Sequence, residues 1–361
     1  MFRIEMFPAL HGDCIWIEYG QESKPLLILI DGGPMPTYDF LRNRIERVSN
    51  ELRRFELMVI THVDADHIES IVKLLNVQEL DFEVGDIWFN AWKHLLPANR
   101  DELGPVQGEY VSALIQQHGL PWNKAFNHGP VVAPEGADPP SIDLPGGMKL
   151  TLLSPDTGRL ARLAPEWAKA VRAAGLEPGV AKEALEDLSK RKKYHPPDEL
   201  GTGRFDIKAL ADAPFQSDRT PPNGSSIAFL AEYQGKSCMF LGDAHAPVLV
   251  DAIERLLAHR GEEKLRVDAI KLPHHGSRNN VSRELIELLD CPRYLVSTNG
   301  NIFEHPDAEA IARIIKYGGR SPGIFFNYLS NTTRIWKEAS IRTGLRVHFP
   351  DEGESGIIIE L

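Results

Sequence analysis

Apolar residues recur along this chain with two different periods, which predict alternating strands and helices. Three short runs, FRIEMF, CIWIEY and PLLILID, open the sequence and are separated by turn residues, as expected for antiparallel β-strands. The segment TYDFLRNRIERVSNELRR predicts a helix, FELMVI predicts a further strand, and HIESIVKLLN predicts a second helix with one apolar face. This order indicates an α/β fold.

A looser middle segment, about residues 97–222, interrupts this order. Proline and glycine cluster in GPVVAPEGADPPSIDLPGG and YHPPDELGTG, while EYVSALIQQHG and PEWAKAVRAAG have helical patterns and MKLTLLSP has a strand pattern. Regular alternation returns with SSIAFLAEY and SCMFLGD and continues to the strand-like SGIIIEL. We therefore expect one domain over residues 1–361, in which residues 97–222 are an insertion of helices and loops that covers one side of a site.

Composition and charge narrow the class of protein. The 361 residues are 42% hydrophobic and 25% charged, the ordinary balance of a globular protein. The N-terminus has no basic segment followed by an apolar leader, and no apolar run is long enough to cross a bilayer, so we expect a cytoplasmic protein without a membrane partner. The net charge of -11 disfavours nonspecific binding to long duplex nucleic acid.

The cysteines and one basic run have structural interpretations. Cys14, Cys238 and Cys291 lie in apolar surroundings without CxxC spacing, which predicts core thiols and argues against a disulfide framework or a thiolate zinc site. The basic run KRKKYH, residues 190–195, follows the acidic helical stretch AKEALEDLS. Because cations are favourable at a helix C-terminus, we interpret this run as a solvated helix end, with docking to a partner protein as the alternative.

Residues that can bind metals follow five of the apolar runs directly. In layered α/β proteins the loops at the carboxyl ends of strands converge to build a site, so residues at these positions are expected to meet. A single histidine or aspartate there is more often a cap or a hydrogen-bonded residue, whereas five placements together favour a site. The residues concerned are Asp31, His62, Asp64, Asp66, His67, Asp243, His274, His275 and His305.

The motif THVDADH has the spacing of metal ligands in a strand-to-helix loop. His62 and Asp64 point the same way along an extended backbone, while Asp66 and His67 come from the following turn and can face a second ion. Two ions need a shared anion, which Asp243 could supply. A histidine of the HHGS motif could then complete the second position.

The motifs THVDADH, LGD and LPHHGS, preceded by HGDCIWIEY and LIDGG, together resemble those of the metallo-β-lactamase-fold hydrolases. They are most similar to the branch that contains the soluble hydrolase domain of the ComEC competence channel. The resemblance covers about residues 1–95 and 223–361 and adds nothing for the middle segment. It implies an αββα sandwich, in which two face-to-face sheets lie between outer helices, with a dinuclear metal centre at one edge.

Matched residue by residue, the resemblance separates metal ligands from supporting residues. Asp31 matches the early aspartate that supports the site by hydrogen bonding, and His274 is the less favoured histidine of the HHGS pair. His11 and Asp13, in the early turn, are candidate supports as well, as is Ser226. The metal ligands that the resemblance implies are His62, Asp64, Asp66, His67, Asp243 and His275.

The sequence departs from the best-known members of this family at two points. They carry HxHxDH, whereas this chain has Asp64 in place of an imidazole, a change that the ComEC-like branch shares. A harder oxygen ligand favours Mn²⁺ or Mg²⁺ over Zn²⁺, and we expect two divalent ions, zinc or manganese. The usual histidine between the motif and the bridging aspartate has no clear counterpart, and the candidates for its position are Asn90, His94 and Ser226.

The resemblance and the residue types together suggest roles in catalysis. Two ions would lower the pKa of a bridging water from about 15.7 toward about 7, and Asp66 is the natural residue to hold that water. His305, in the sequence EHP, could protonate a leaving group or hold a phosphate, so the expected catalytic residues are Asp66, Asp243 and His305. Donors suited to a phosphodiester are Ser277, Arg278, Asn279 and Asn280.

The sequence is compatible with three functions. A metal-dependent phosphodiesterase or nuclease, acting on single-stranded nucleic acid or nucleotides, is favoured by the ComEC-like motifs. The same metals could serve an ester, lactone or thioester hydrolase, because fold does not settle function. A non-catalytic partner subunit of a multi-component system is the third interpretation, in which the middle segment and the KRKKYH run would dock to another protein.

Overall fold

The computed structural model describes residues 1–95, 106–174, 207–319, 321–343, 345–351 and 353–361, and the single positions 176, 180, 181 and 184. The basic run at residues 190–195 lies outside the described residues. No helix in the part of the chain that is described has the length and apolar character needed to cross a bilayer. The three cysteines are buried free thiols, as their apolar surroundings predict.

Helices and strands alternate through most of the described chain. The helices are α1 (Tyr38–Glu46), α2 (Ala65–Leu75), α3 (Val106–Gln117), α4 (Thr157–Ala173), α5 (Ile207–Ala211), α6 (Pro221–Gly224), α7 (Ala246–Arg260), α8 (Arg283–Glu287), α9 (Ala308–Tyr317) and α10 (Asn331–Thr343). The strands are β1 (Phe2–Met6), β2 (Ile15–Gln21), β3 (Lys24–Ile30), β4 (Arg54–Val59), β5 (Glu83–Val84), β6 (Ile87–Trp88), β7 (Ser141–Asp143), β8 (Lys149–Ser154), β9 (Ala228–Tyr233), β10 (Lys236–Phe240), β11 (Leu265–Arg266), β12 (Ala269–Lys271), β13 (Leu289–Asp290), β14 (Arg293–Val296), β15 (Gly323–Phe326), β16 (Arg346–His348) and β17 (Ile357–Glu360).

Two mixed sheets carry the fold. In the first, the described strands lie in the order β17-β1-β2-β3-β4-β5, and β6 also pairs with β4. This sheet is antiparallel from β17 to β3 and parallel from β3 to β6. The second sheet has the order β16-β15-β14-β12-β10-β9-β8-β7. It is parallel from β10 to β16 and antiparallel from β7 to β10.

The sheets pack face to face between two layers of helices. Ile17 and Ile28 of the first sheet and Leu152 and Phe229 of the second belong to one buried apolar cluster between the sheets. A second cluster joins the outer face of the first sheet to α1–α4, and a third joins the second sheet to α7–α10. A sheet that is apolar on both faces must be covered on both. The α/β sandwich with two face-to-face sheets is therefore confirmed.

Part of the middle segment is built into the second sheet. Strand β8 pairs with β9, and β7 pairs with β8 at the edge of the sheet. Helices α3 and α4, from the same segment, pack on the outer face of the first sheet. The region expected as an insertion, about residues 97–222, thus supplies core strands and core helices as well as loops.

Two helices differ from the sequence expectation. Helix α1 ends at Glu46, and a short 3-10 turn at Asn50–Leu52 leads into β4, although the pattern through Arg54 predicts a longer helix. Ser49 is in the extended conformation, which ends the helical path before the turn. Helix α10 was not expected, because its sequence NTTRIWKEASIRT is mostly polar and buries few large apolar side chains besides Trp336.

Candidate metal centre

Loops at the carboxyl ends of three strands bring the expected ligands together at one end of the sandwich. Strand β4 of the first sheet is followed by the THVDADH motif and α2, whereas β10 and β12 of the second sheet are followed by the LGD and HHGS motifs. The centre therefore forms where the two sheets meet. Its side chains are those of His62, Asp64, Asp66, His67, Asp243, His274 and His275.

Asp243 lies between two pairs of imidazoles. Its Oδ2 atom is 3.8 Å from His62 Nε2 and 3.7 Å from His274 Nε2. Its Oδ1 atom is 3.5 Å from His67 Nε2 and 3.9 Å from His275 Nε2. One carboxylate thus offers one oxygen to each pair, which is the arrangement of a ligand that bridges two ions.

An aspartate of the THVDADH motif joins each pair. Asp64 Oδ2 is 3.5 Å from His62 Nε2. Asp66 Oδ2 is 3.8 Å from His67 Nε2 and 3.5 Å from His275 Nε2. We call these groups the first position, formed by His62, Asp64, His274 and Asp243, and the second position, formed by Asp66, His67, His275 and Asp243.

Several atoms that face one another in the centre have no hydrogen-bond partner among the described residues. They are the Nε2 atoms of His62, His67 and His275 and the Oδ1 atom of Asp243. Buried polar atoms are nearly always hydrogen-bonded, so a convergent group of unpartnered ones calls for a ligand. Ligand atoms of His62, His67 and Asp243 lie within 4.8 Å of one another, as do those of Asp66, His67 and His275. These residues fit divalent metal ions.

Asp31 supports one imidazole of each position, His67 directly and His62 through Thr61. Its Oδ2 atom is 2.8 Å from His67 Nδ1. It also accepts hydrogen bonds from the backbone N and the Oγ1 of Thr61, at 2.8 and 2.7 Å. Thr61 Oγ1 is in turn 3.0 Å from His62 Nδ1. One buried carboxylate thereby sets the direction of two imidazoles, as supporting hydrogen bonds do in metal sites.

Ser226 lies between ligands of the two sheets. Its Oγ accepts a hydrogen bond from the backbone N of Asp243 at 2.9 Å and is 3.5 Å from His62 Nδ1. Gly242 has a φ of +48°, and a Cβ at this position would lie 2.4 Å from Ser226 Oγ. A glycine before Asp243 is therefore required for this close approach.

A buried ion pair supports His275. Asp13 Oδ1 is 3.5 Å from His275 Nδ1, which donates to the carbonyl oxygen of Ser297 at 2.8 Å. The other oxygen of Asp13 accepts from Lys271 Nζ at 2.5 Å, and both side chains are nearly inaccessible to water. Asp13 follows β1 of the first sheet and Lys271 ends β12 of the second, so this pair joins the two sheets below the centre.

His274 is held by residues from the middle segment and from the loop after HHGS. Its Nδ1 atom is 3.5 Å from Asp218 Oδ2 and 3.0 Å from Asn280 Oδ1. Asp218 also accepts from Asn223 Nδ2 at 2.6 Å and from the backbone N of Thr220 at 2.9 Å. Sequence reasoning missed Asp218, because its segment carries no motif, and it considered Asn280 of the GSRNN motif only as a donor to a substrate. Lys271 was missed as well, although it directly precedes the LPHHGS motif.

The carboxylates and imidazoles of the centre shift one another's pKa values. Burial lowers the pKa of His275, but Asp13 and Asp243 raise it to about 9. Burial likewise opposes protonation of His67, whose pKa is nevertheless raised well above its usual range by Asp243 and two further aspartates. The imidazoles hold the pKa of Asp243 well below its usual range against burial. Metal ions would displace protons from these imidazoles.

The two histidines of HHGS diverge because of their backbone. His274 and His275 have φ values of +46° and +54°, in the left-handed region that costs a non-glycine residue about 1–2 kcal/mol. This turn sends one ring to each oxygen of Asp243. His274 was expected to be the less favoured, supporting histidine, and the structure instead places its Nε2 at the first position.

Asn90 and His94 do not reach the centre, and their candidacy for the missing histidine is wrong. Asn90 Nδ2 donates to the carbonyl oxygen of Val131, and its Oδ1 accepts from the backbone N of Val131, both at 2.8 Å. His94 packs edge-on against Trp122, with ring centroids 5.1 Å apart. His274, whose Nε2 atom is 3.7 Å from Asp243 Oδ2, faces the centre instead.

Two donors of the GSRNN motif, Ser277 and Arg278, form hydrogen bonds within the protein. Ser277 is buried, and its Oγ accepts from the backbone N of Asn279 at 3.2 Å. Arg278 Nη1 donates to Glu309 Oε1 at 3.1 Å, so a carboxylate already neutralises its guanidinium. Asn279 is exposed. Arg278 is nevertheless more than half exposed, so substrate binding by these residues stays a prediction.

His305 and His11 lie at the mouth of the centre. The ring centroid of His305 is 5.2 Å from that of His274. Burial lowers the pKa of His305 despite the opposing charge of Asp307, so the neutral imidazole prevails at neutral pH. His11 precedes Gly12, where a Cβ would lie 1.8 Å from the carbonyl oxygen of Asp66. The imidazole of His305 thus lies next to the first position, and the backbone that follows His11 packs against the second.

Comparison with solved structures gives distant likenesses. CmlA, a diiron beta-hydroxylase from Streptomyces venezuelae, is 12% identical with a TM-score of 0.42, over 99% of this chain and 54% of its own. The metallo-beta-lactamase fold protein YhfI from Bacillus subtilis is 9% identical with a TM-score of 0.39, over 100% of both chains. A diphosphatase from the PhnP family is 12% identical with a TM-score of 0.37, over 97% of this chain and 84% of its own.

This chain spans about half the length of the CmlA chain that it matches. No protein-family model matches the sequence, and no curated protein does.

Proposed function

We propose that this protein is a metal-dependent hydrolase with a dinuclear centre. The observation that carries the proposal is the convergence of buried, unpartnered imidazole and carboxylate atoms on the two oxygens of Asp243. Each position offers two imidazole nitrogens together with carboxylate oxygens. This donor set suits Mn²⁺ or Zn²⁺ better than Mg²⁺, which prefers oxygen ligands.

Asp66 and His305 would have different roles in the hydrolysis at this centre. When bound, two divalent ions would lower the pKa of a shared water toward about 7 and stabilise negative charge on the bond being hydrolysed. Asp66, whose Oδ2 lies between two imidazoles, is placed to accept a hydrogen bond from the attacking water and orient it. Neutral His305, at the mouth, can donate an N–H hydrogen bond to an oxygen of the substrate or its leaving group.

The substrate class that we propose is a phosphodiester, in a nucleotide or a single-stranded nucleic acid. The support is twofold: the HxDxDH, LGD and HHGS motifs that resemble the ComEC-like branch lie in one centre, and His11 and His305 add imidazole donors at its mouth. The net charge of -11 favours short or single-stranded substrates over long duplexes, whose binding depends on many cationic contacts.

A second candidate is a carboxylic-ester, lactone or thioester hydrolase. It is favoured by the pairing of Arg278 with Glu309, which removes a cation from phosphate binding, and by the exposed apolar side chains of Ile302 and Phe303 beside His305. The same centre would stabilise the oxyanion of an acyl substrate.

The experiment compares wild type with Asp243→Asn in the presence of Mn²⁺ or Zn²⁺. Substrates are end-labelled single-stranded DNA, bis(p-nitrophenyl) phosphate and p-nitrophenyl acetate. The matched control is Asp290→Asn, which removes an exposed carboxylate away from the centre. We expect phosphodiester cleavage by wild type and the control, and a loss of at least about a hundredfold in Asp243→Asn.

Three other outcomes would contradict the proposal in whole or in part. Equal cleavage by Asp243→Asn and wild type would place the activity outside this centre. Cleavage of the acetate ester alone would favour the second candidate. Inactivity of the metal-loaded wild type on all three substrates would contradict a hydrolase of either class.

A further inference from the structure

An exposed aromatic ring lies at the mouth of the metal centre. Phe303, in the loop between β14 and α9, is 53% exposed, and its neighbour Ile302 is 45% exposed. The ring of Phe303 stacks on His305, with centroids 6.1 Å apart and planes 29° apart. It also meets His11 edge-on, with centroids 6.2 Å apart. An apolar ring held in water beside a site points to a ligand that covers it.

The two imidazoles that touch Phe303 flank the centre on different sides. His305 lies beside the first position, because its ring centroid is 5.2 Å from that of His274. The ring of His11 contacts Phe303 on another side, and Gly12, the residue after it, packs against the carbonyl oxygen of Asp66 at the second position. Phe303 therefore contacts one imidazole from a segment next to each position.

We propose that Phe303 stacks on an unpaired nucleobase next to the phosphodiester that this site hydrolyses. The inference rests on the proposed function and adds to it a binding site for one free base of the substrate. His305 supports one side of the ring, while more than half of the residue remains open to a partner.

Two physical reasons favour a nucleobase as the partner. The rings of His11, Phe303 and His305 form an aromatic cluster, and such rings attract a planar, polarised partner through stacking. The partner must also be attached close to a phosphate that reaches the ligands, as a base is in a single strand. In a duplex the bases are paired and stacked on one another, so their faces are not available.

The test compares dinucleotides that differ only in their bases. Thymidylyl-thymidine and two analogues, each with an abasic residue on one side of the phosphate, are given to the Mn²⁺-loaded protein. Phe303→Leu removes the ring and keeps an apolar side chain, whereas Phe303→Trp keeps a stacking surface. Phe40→Leu is the matched control, because Phe40 is 52% exposed on α1.

The expected result is a preference of wild type for the complete dinucleotide over at least one abasic analogue, by about 5- to 100-fold in kcat/KM. Phe303→Leu should lose this preference, while Phe303→Trp and Phe40→Leu should keep it. Titration calorimetry gives a readout that does not depend on turnover. Wild type should bind thymidine 5′-phosphate more tightly than deoxyribose 5-phosphate, and Phe303→Leu should lose this difference in affinity.

The outcomes separate the inference from the proposed function. Equal hydrolysis of all three compounds by wild type, or an unchanged preference in Phe303→Leu, would overturn the stacking role and leave the phosphodiesterase intact. Failure of wild type to hydrolyse any of the three would overturn the proposed phosphodiesterase for these substrates and the inference with it.

Discussion

Asp218 holds His274 from behind: its Oδ2 lies 3.5 Å from His274 Nδ1, opposite the Nε2 atom that faces Asp243. A carboxylate in this place orients a metal-binding imidazole and raises its basicity. Asp218 belongs to the middle segment, for which the sequence motifs give no information. That segment therefore takes part in building the first position.

Replacing Asp218 should weaken the first position selectively. In Asp218→Ala the ring of His274 loses its orienting carboxylate, so we expect Mn²⁺ affinity at one of two sites to fall about 10- to 100-fold. Titration calorimetry measures both sites. Asp212→Ala, which removes an exposed carboxylate of the same segment, is the control and should bind like wild type. Equal weakening of both sites would argue against a local role for Asp218.

The number of bound ions should depend on which ligand is removed. His274→Ala takes one donor from the first position only, and we expect the protein to retain about one ion per chain after dialysis. Asp243→Asn impairs the bridging carboxylate and should lower occupancy of both positions. Elemental analysis measures the ions, and circular dichroism verifies folding. An unchanged metal content in Asp243→Asn would exclude the proposed bridge.

Breaking the buried ion pair between Asp13 and Lys271 should destabilise the fold. Lys271→Met leaves the Asp13 carboxylate buried without its cation, which typically costs about 3–5 kcal/mol. Asp13 and Lys271 are each 1% exposed, so water cannot take the place of the cation. We expect the free energy of unfolding in urea to fall by this amount. The double variant Asp13→Asn, Lys271→Met should recover part of it; a further loss instead would show that the pair is not the cause.

Stability should fall in acid partly through His94. Burial lowers the pKa of His94 to about 3, whereas an unfolded chain takes up the proton near 6.5. Above pH 6.5 both states are neutral at this residue. As the pH falls from 6.5 toward 3, the unfolded state is favoured by up to about 1.4 kcal/mol per pH unit.

Urea unfolding of wild type and His94→Gln at pH 7 and pH 5 measures this effect. Between pH 7 and pH 5 the free energy of unfolding of His94→Gln should fall by about 2 kcal/mol less than that of wild type. His259→Gln, which replaces an exposed histidine, should behave like wild type. The same pH dependence in all three proteins would show that His94 is not responsible.

Much of the fold and of the centre could be predicted from the sequence, because both depend on local patterns. Helix α2 follows from the spacing of its apolar residues, and the strand ends before Asp31, His62 and Asp243 follow from short apolar runs. The motifs then indicate which side chains should meet. Their meeting at the junction of two sheets is a consequence of the parallel strands ending at one edge.

What escaped prediction depends on backbone direction and on distant contacts. Adjacent histidines in HHGS look equivalent, and only their left-handed turn shows that His274 faces one position and His275 the other. Asp218 lies among residues without periodicity, so nothing local links it to His274. The pairing of Arg278 with Glu309, on α9, likewise depends on a contact 31 residues away along the chain.

The centre takes ligands from both sheets, and an ion bound there would be a further cross-link between two halves that apolar packing, hydrogen bonds and a buried ion pair also join. An ion that binds the folded chain alone adds about 2.7 kcal/mol of stability when its free concentration is a hundred times its Kd. The melting temperature of this protein would then report the metal supply of its surroundings, and starvation for that metal would shorten the lifetime of the fold before it limited any catalysis.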